Sequence, residues 1–242
     1  MNLKRQLFFL HIYNFLFSFR IADGVWVVFL LSRGFSLAQV GMAEGVFHIV
    51  SFLFEVPSGM LADLMGRKRT LALSSLFGIV SALSMALSQG FWGVCVSMAF
   101  QALMYNLCSG TQEALTYDSL KAAGKEGSYL RQNAWLMGAS QASASLSRLL
   151  GGVAALLGFF PAYLLTAACS AVCGSAALAL AEPLVTETQR QRTQHPFAQL
   201  GPRLKRHFWE SWRFLRRNPR AAWMILAGAA AEREALFAAG LS

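Results

Sequence analysis

Charge is scarce in this sequence. Only 14% of its 242 residues are Asp, Glu, Lys or Arg, where a soluble domain carries about a quarter. That shortage excludes an ordinary water-facing surface. Cysteine is scarce too. Cys95, Cys108, Cys169 and Cys173 all lie inside apolar runs, which argues against a disulfide framework. Cys169 and Cys173 share a helix face, but two thiols without His or acid neighbours make a poor metal site. They read as small packing residues, and no metal or cofactor is expected. His11, His48, His195 and His207 are dispersed, and HExxH, GxSxG and paired acids at metal-ligand spacing are all missing. These gaps leave an intramembrane enzyme without support.

What the sequence has in quantity is apolar length. Hydrophobic residues make up 55% of the chain, and stretches of about 18 or more recur, enough to cross ~30 Å of hydrocarbon as a helix. The fold class is therefore an all-α integral membrane protein. Spans are expected at 7–31, 37–62, 70–88, 91–117, 133–157 and 159–181, with a further run starting near Ala221. The start, MNLKRQLFFL, has the basic-then-apolar order of a signal peptide. The run continues through Asn14 and Arg20 with no small-x-small cleavage site, so it reads as an uncleaved first span.

The net charge of +9 does not point to nucleic acid, because its distribution encodes topology. Lys4, Arg5, Arg67, Lys68, Arg69, Lys121, Lys125 and Arg131 fall in alternate connections, and nine more bases lie in 182–220. Seventeen of the 21 bases are thus on one face, against Arg33 alone on the other. The positive-inside rule makes the N-terminus cytoplasmic and the protein multi-pass in the cytoplasmic membrane. The domain division expected is a six-helix bundle over 1–181, a basic linker over 182–220 and a partial helix over 221–242. Within the linker, Leu204, Phe208, Trp212 and Leu215 make one helical stripe among bases. Such a helix can lie on anionic headgroups, although a solvated basic linker explains the composition as well.

Charges inside spans are costly and usually face protein or water for a purpose. Span one carries Arg20 and Asp23, span two carries Glu44, His48 and Glu55, span four carries Glu113, and span five carries Arg148. Spans three and six carry none. This polar-polar-greasy order, twice over, suggests two three-helix units related as an inverted repeat. At about 1.5 Å per residue, Arg20, Asp23, Glu44, His48 and Arg148 fall within roughly one turn of one level. Span two also presents Glu44, His48, Ser51 and Glu55 as one stripe, and span four presents Gln101, Tyr105, Cys108 and Gln112. Two readings stay open. These residues form a substrate and proton site whose carboxylate titrates, or Arg20–Asp23 and Glu44–Arg148 are static pairs that lock helices together. His48 taken alone is a packing or hydrogen-bonding residue.

Between spans two and three stands GMLADLMGRKRT, residues 59–70. It resembles the G-x-L-A-D-x-x-G-R-K motif of the major facilitator superfamily, with Gly59, Leu61, Ala62, Asp63, Gly66, Arg67 and Lys68 in register. FEVPSG before it, RGFSLAQVG on the other face and SGTQEALTYDSLK in span four are similar to positions in bacterial members. The resemblance covers roughly 7–182. It implies a secondary transporter that moves a small solute by alternating access, with Asp63 latching the two halves through a helix of the second half. Gly59 leaves room for a helix to approach, Gly66 permits a tight turn, and the bases meet anionic lipid. Two family features are replaced here: span four lacks the mid-helix arginine, and span five reads SRLLGG where many exporters have G-P-x-x-G-G.

Family members contain two six-helix halves around a central site. The expectation is therefore a truncated transporter, or a half that needs its missing C-terminal half or a second chain. Proton transfer at Asp23 or Glu44 would be coupled to a zwitterion, an organic cation or an amphipathic drug, with export favoured by the resemblance. The competing class is a non-transporting helix-bundle fragment.

Overall fold

A computed structural model describes residues 2–183, apart from the side chains of 154–157, together with positions 209, 213 and 216. Helix α1 (Leu3–Ser18) is followed by a 3-10 turn (Ile21–Gly24) and by α2 (Trp26–Ser32). Then come α3 (Leu37–Met65), α4 (Arg67–Leu87), α5 (Phe91–Cys108), α6 (Thr111–Ala122), α7 (Tyr129–Leu157) and α8 (Phe159–Ala179). This bundle belongs to the compact unit Met1–Pro196. The predicted stripe of Leu204, Phe208, Trp212 and Leu215, and the run from Ala221, lie outside the described residues.

Two predicted spans differ in kind from the expectation. Span one is a broken helix rather than a rod, and span four is interrupted at Ser109–Gly110, with Gly110 at φ +70°. Among the described residues, five stretches are long and apolar enough to cross a membrane: Leu3–Ser32, Leu37–Met65, Arg67–Leu87, Phe91–Ala122 and Phe159–Ala179. Helix α7, the predicted span 133–157, is long enough at 29 residues but is not among the five. Asn133, Ser140, Gln141, Ser143, Ser145, Ser147 and Arg148 dilute its hydropathy. Part of that polarity is used against α1, where Ser140 shares a 2.7 Å hydroxyl contact with Ser18 and Ser143 donates to the Phe15 carbonyl at 2.6 Å.

Helices α4 and α8, from the two spans predicted to be free of charge, pack on each other, and α4 also packs on α5. Lipid tails are as apolar as leucine, so close backbone approach and hydrogen bonding must supply what water expulsion supplies elsewhere. The contact faces are accordingly small. Ser74, Ser75, Gly78, Ser81, Ala82 and Ala86 of α4 are buried, facing Ser97 and Ala102 of α5 and Ser170 and Cys173 of α8. A Cβ on Gly78 would sit 2.9 Å from both Met104 Sδ and Ser170 Oγ. Ser74 donates to the Met104 carbonyl at 2.7 Å, and Ser97 donates to the Ser81 carbonyl at 2.8 Å. All four cysteines are free thiols and buried, in keeping with their reading as packing residues.

Both ends of α4 are capped by side chains from elsewhere in the chain. At its N-terminus the Glu182 carboxylate accepts from the backbone N–H of Arg67 and of Lys68, each at 2.8 Å. At its C-terminus the Arg33 guanidinium donates to the carbonyls of Ala86, at 3.1 Å, and of Ser88, while lying 4.3 Å from the Phe29 ring centre. An anion at the positive end and a cation at the negative end both match the helix dipole. Gly66 is required between α3 and α4. Its φ is +90°, and an added Cβ would lie 3.1 Å from the Glu182 carboxyl group.

Gln6 fixes the chain just before Glu182. Its side-chain amide donates to the Ala181 carbonyl and accepts from the Ala181 N–H, both at 2.9 Å. Replacing Glu182 by Ala should therefore destabilise the bundle by about 1–2 kcal/mol, the usual effect of losing a helix N-cap. Thermal unfolding in detergent checks this, with Glu182→Gln retaining part of the loss because its amide oxygen still accepts.

Candidate functional site

The break in the first span builds the site. Gly24 ends the 3-10 turn, and glycine on both sides lets α7 press against it. A Cβ on Gly24 would lie 3.6 Å from Arg148 Cα, and one on Gly151 would lie 3.3 Å from the Ile21 carbonyl oxygen. Arg20 sits at the head of this turn, only 7% exposed. Asp23 follows within it and is half-buried.

Arg20 Nε donates to Asp23 Oδ2 at 2.7 Å. The same oxygen accepts from the Tyr105 hydroxyl at 3.1 Å and from Gln101 Nε2 at 3.4 Å. Arg20 Nη1 also contacts Met104 Sδ at 3.1 Å, and the guanidinium lies 5.8 Å from the Tyr105 ring centre. Four predicted residues, Arg20, Asp23, Gln101 and Tyr105, are thus one cluster between the broken helix and α5. The cluster is electrically neutral, and its charged groups are hydrogen-bonded, as burial requires.

A second pair stands beside it on α3. Glu44 Oε1 and His48 Nε2 are 4.0 Å apart, with side chains 49% and 42% exposed. That separation permits charge attraction without a hydrogen bond. Phe47 connects the two groups, its ring meeting His48 edge-on at 5.3 Å and Tyr105 at 6.1 Å. Helix α3 is held to α5 by a reciprocal clamp: Ser51 donates to Asn106 Oδ1 at 2.8 Å, and Asn106 Nδ2 donates to the Ser51 carbonyl at 2.7 Å. Asn106 was missed from the sequence, although an amide in an apolar span is the same signal that Gln101 gave.

The remaining predicted residues are not drawn into this cluster. Glu55 is exposed on α3, and Arg148 is exposed on α7. Glu113 is exposed in the first turn of α6, where a carboxylate is favourable to the helix dipole. Among the described residues the ion pairs are Arg20–Asp23, Glu44–His48 and Arg67–Asp118. The alternative pairing of Glu44 with Arg148 does not form, because Glu44 meets the imidazole one turn along its own helix.

The loop motif has internal partners that its sequence did not reveal. The Arg67 guanidinium pairs with Asp118 and also donates to the Ala114 carbonyl, both on α6. Reading Arg67 as a topology signal and lipid contact therefore omitted its main role, a bridge from α4 to α6. The Lys68 side chain is half-buried. Asp63 lies exposed in the last turns of α3, and the helix N-terminus beside the loop is that of α4, which Glu182 occupies. The Gly59 position has open space where a Cβ would project.

With this geometry in place, comparison with known proteins gives the family. The sequence model of the Major Facilitator Superfamily matches residues 7–239, and the chain belongs to that superfamily. It is a multi-pass integral membrane protein of a transporter family. Over 93 residues it is 31% identical to the "Uncharacterized MFS-type transporter YxaM" of Bacillus subtilis (strain 168), covering 38% of this chain and 23% of that protein. Over 69 residues it is 30% identical to the "Inner membrane transport protein YajR" of Escherichia coli (strain K12), covering 28% of this chain and 15% of that protein. The matched stretches are thus under a quarter of either relative's length.

The bridge from α4 to α6 makes a direct prediction. In a double-mutant cycle of Arg67→Gln and Asp118→Asn, thermal stability in detergent should show coupling of about 0.5–3 kcal/mol. The double variant should lose less than the sum of the single losses.

Proposed function

We propose that the protein exports a small solute across the cytoplasmic membrane by alternating access, driven by protons that bind at Asp23. The observation that carries this reading is the convergence of Arg20, Gln101 and Tyr105 on one carboxylate oxygen at a break in a membrane helix. A proton on Asp23 would release Arg20 and Tyr105 from that oxygen. A change of one charge then alters contacts between the first span and α5. The broken helix gives that change somewhere to act, because its two arms can reorient about the turn.

Glu44 and His48, exposed beside this cluster, serve the same pathway. Glu55, Glu113 and Arg148 are its more distant charges. The solute class that fits is an organic cation or zwitterion with apolar surface, since Glu44, Asp23, Phe47 and Tyr105 offer carboxylates among aromatic rings. The bundle of residues 1–181 forms one wall of the path, with the N-terminus and the basic linker on the cytoplasmic side. A C-terminal half, or a second chain, forms the other wall. The exposed faces of α3 and α7, with Gly59 open, support that placement. In the loop, Gly59, Asp63, Gly66, Arg67 and Lys68 stabilise one conformation, and the neighbouring bases meet anionic lipid.

Everted membrane vesicles from cells expressing the protein test this, with ethidium as the cationic probe. Wild-type vesicles should accumulate ethidium while a proton gradient is present and release it when the gradient is collapsed. In Asp23→Asn the gradient-driven rate should fall about tenfold or more, a barrier change of ~1.4 kcal/mol. A rate unaffected by Asp23→Asn would remove Asp23 from the pathway.

A further inference from the structure

Tyr163 on α8 presents an anomaly. Its side chain is 5% exposed, and among the described residues its hydroxyl is the buried side-chain polar atom without a hydrogen-bond partner. Leaving a buried hydroxyl unsatisfied is costly, so the position calls for a polar neighbour.

Its surroundings indicate which neighbour. Helix α8 packs directly on the 3-10 turn, and Tyr163 shares one apolar cluster with Ile21 and Ala22 of that turn. Its ring is fixed against Phe29 at 5.0 Å between centres. Arg20 and Asp23 flank Ile21 and Ala22 in the same turn. Asp23 has capacity to spare, because the three donors that reach it all converge on Oδ2. A carboxylate has about four lone-pair sites, and Oδ1 can accept more.

An unused buried donor on α8 and the carboxylate of Asp23 therefore belong to two elements that pack directly on each other. We propose that Tyr163 and Asp23 together hold one ordered water molecule, which accepts from or donates to the Tyr163 hydroxyl and donates to Asp23 Oδ1. Buried waters of this kind make about three hydrogen bonds to otherwise unsatisfied groups, and here one molecule satisfies both partners. Tyr163 is then a positioning residue of the Asp23 site, and the water is the species that delivers or removes the proton. The inference rests on the reading of Asp23 as the proton-binding group.

Infrared difference spectroscopy of the reconstituted protein, recorded between neutral and acid pH, tests it without measuring transport. Asp23→Asn identifies the Asp23 carboxyl band by its loss. In the wild type, a water O–H band in the same difference spectrum should shift when oxygen-18 water replaces ordinary water. Tyr163→Phe keeps the ring against Phe29 and removes only the hydroxyl. The isotope-sensitive water band should disappear in this variant, and the Asp23 carbonyl stretch should move to higher wavenumber as it loses a hydrogen bond. If the band belongs to Asp23 but the water signal survives unchanged in Tyr163→Phe, the inference fails while the proton-coupled reading stands. If no carboxyl band is lost in Asp23→Asn, the proton-coupled reading falls and this inference falls with it.

Discussion

The burial of the Arg20 guanidinium is the constraint around which the rest is arranged. A cation that cannot reach water within a membrane helix must be neutralised and hydrogen-bonded where it stands. Asp23 supplies the charge, but in a regular α-helix an i, i+3 pair would not also receive Tyr105 and Gln101 from α5. The helix yields instead. Ser18 ends α1, a 3-10 turn carries the pair, and α2 resumes at Trp26. The glycines at 24 and 151 then bring α7 against the same turn, and Ile21, Ala22 and Val25 of the broken segment are buried in protein. Non-helical backbone at membrane depth is tolerated where it is buried in protein or lines a water-filled cavity.

The end of the bundle that carries the basic residues is held differently, by backbone-directed contacts. Gln6 fixes Ala181 from both sides and donates to Ser119 at 3.1 Å. Glu182 caps α4, and Arg67 reaches from α4 to α6. These contacts join four helices at one end, while at the far end of α4 Arg33 bonds to its last carbonyls and Met85 and Ala86 share an apolar cluster with Phe29 and Leu30 of α2. The site at Arg20–Asp23 lies in the first span between these fixed ends. Rigid ends with a break between them suit a helix that must change partners locally without unravelling the bundle.

Much of this was legible in the sequence because membranes penalise charge so strongly. Arg20, Asp23, Gln101 and Tyr105 stood out as polar residues in apolar spans, and the structure gathers those four. The loop motif was equally plain. Less legible was anything decided by helix geometry. The depth argument put Arg148 at the same level as Glu44, but level says nothing of azimuth, and Glu44 meets His48 instead. Asp118 and Glu182 were overlooked because they sit at span ends, where an acid is cheap and attracts no notice. The break itself left only a faint trace, a glycine after an acid inside an otherwise continuous run. Helix α7 was read as a span with Arg148 as its one charge, although its serines already described a helix that needs protein neighbours.

The family places the chain among transporters, and the Arg20–Asp23 cluster is the feature on which the proposed mechanism is built. The most direct test is proton release on solute binding. Ethidium is added to the purified protein in weakly buffered detergent solution, and the pH change is followed with an indicator dye at a series of starting pH values. The account predicts that ethidium binding releases protons from the wild type and none from Asp23→Asn. Binding of ethidium with equal proton release in both proteins would contradict it.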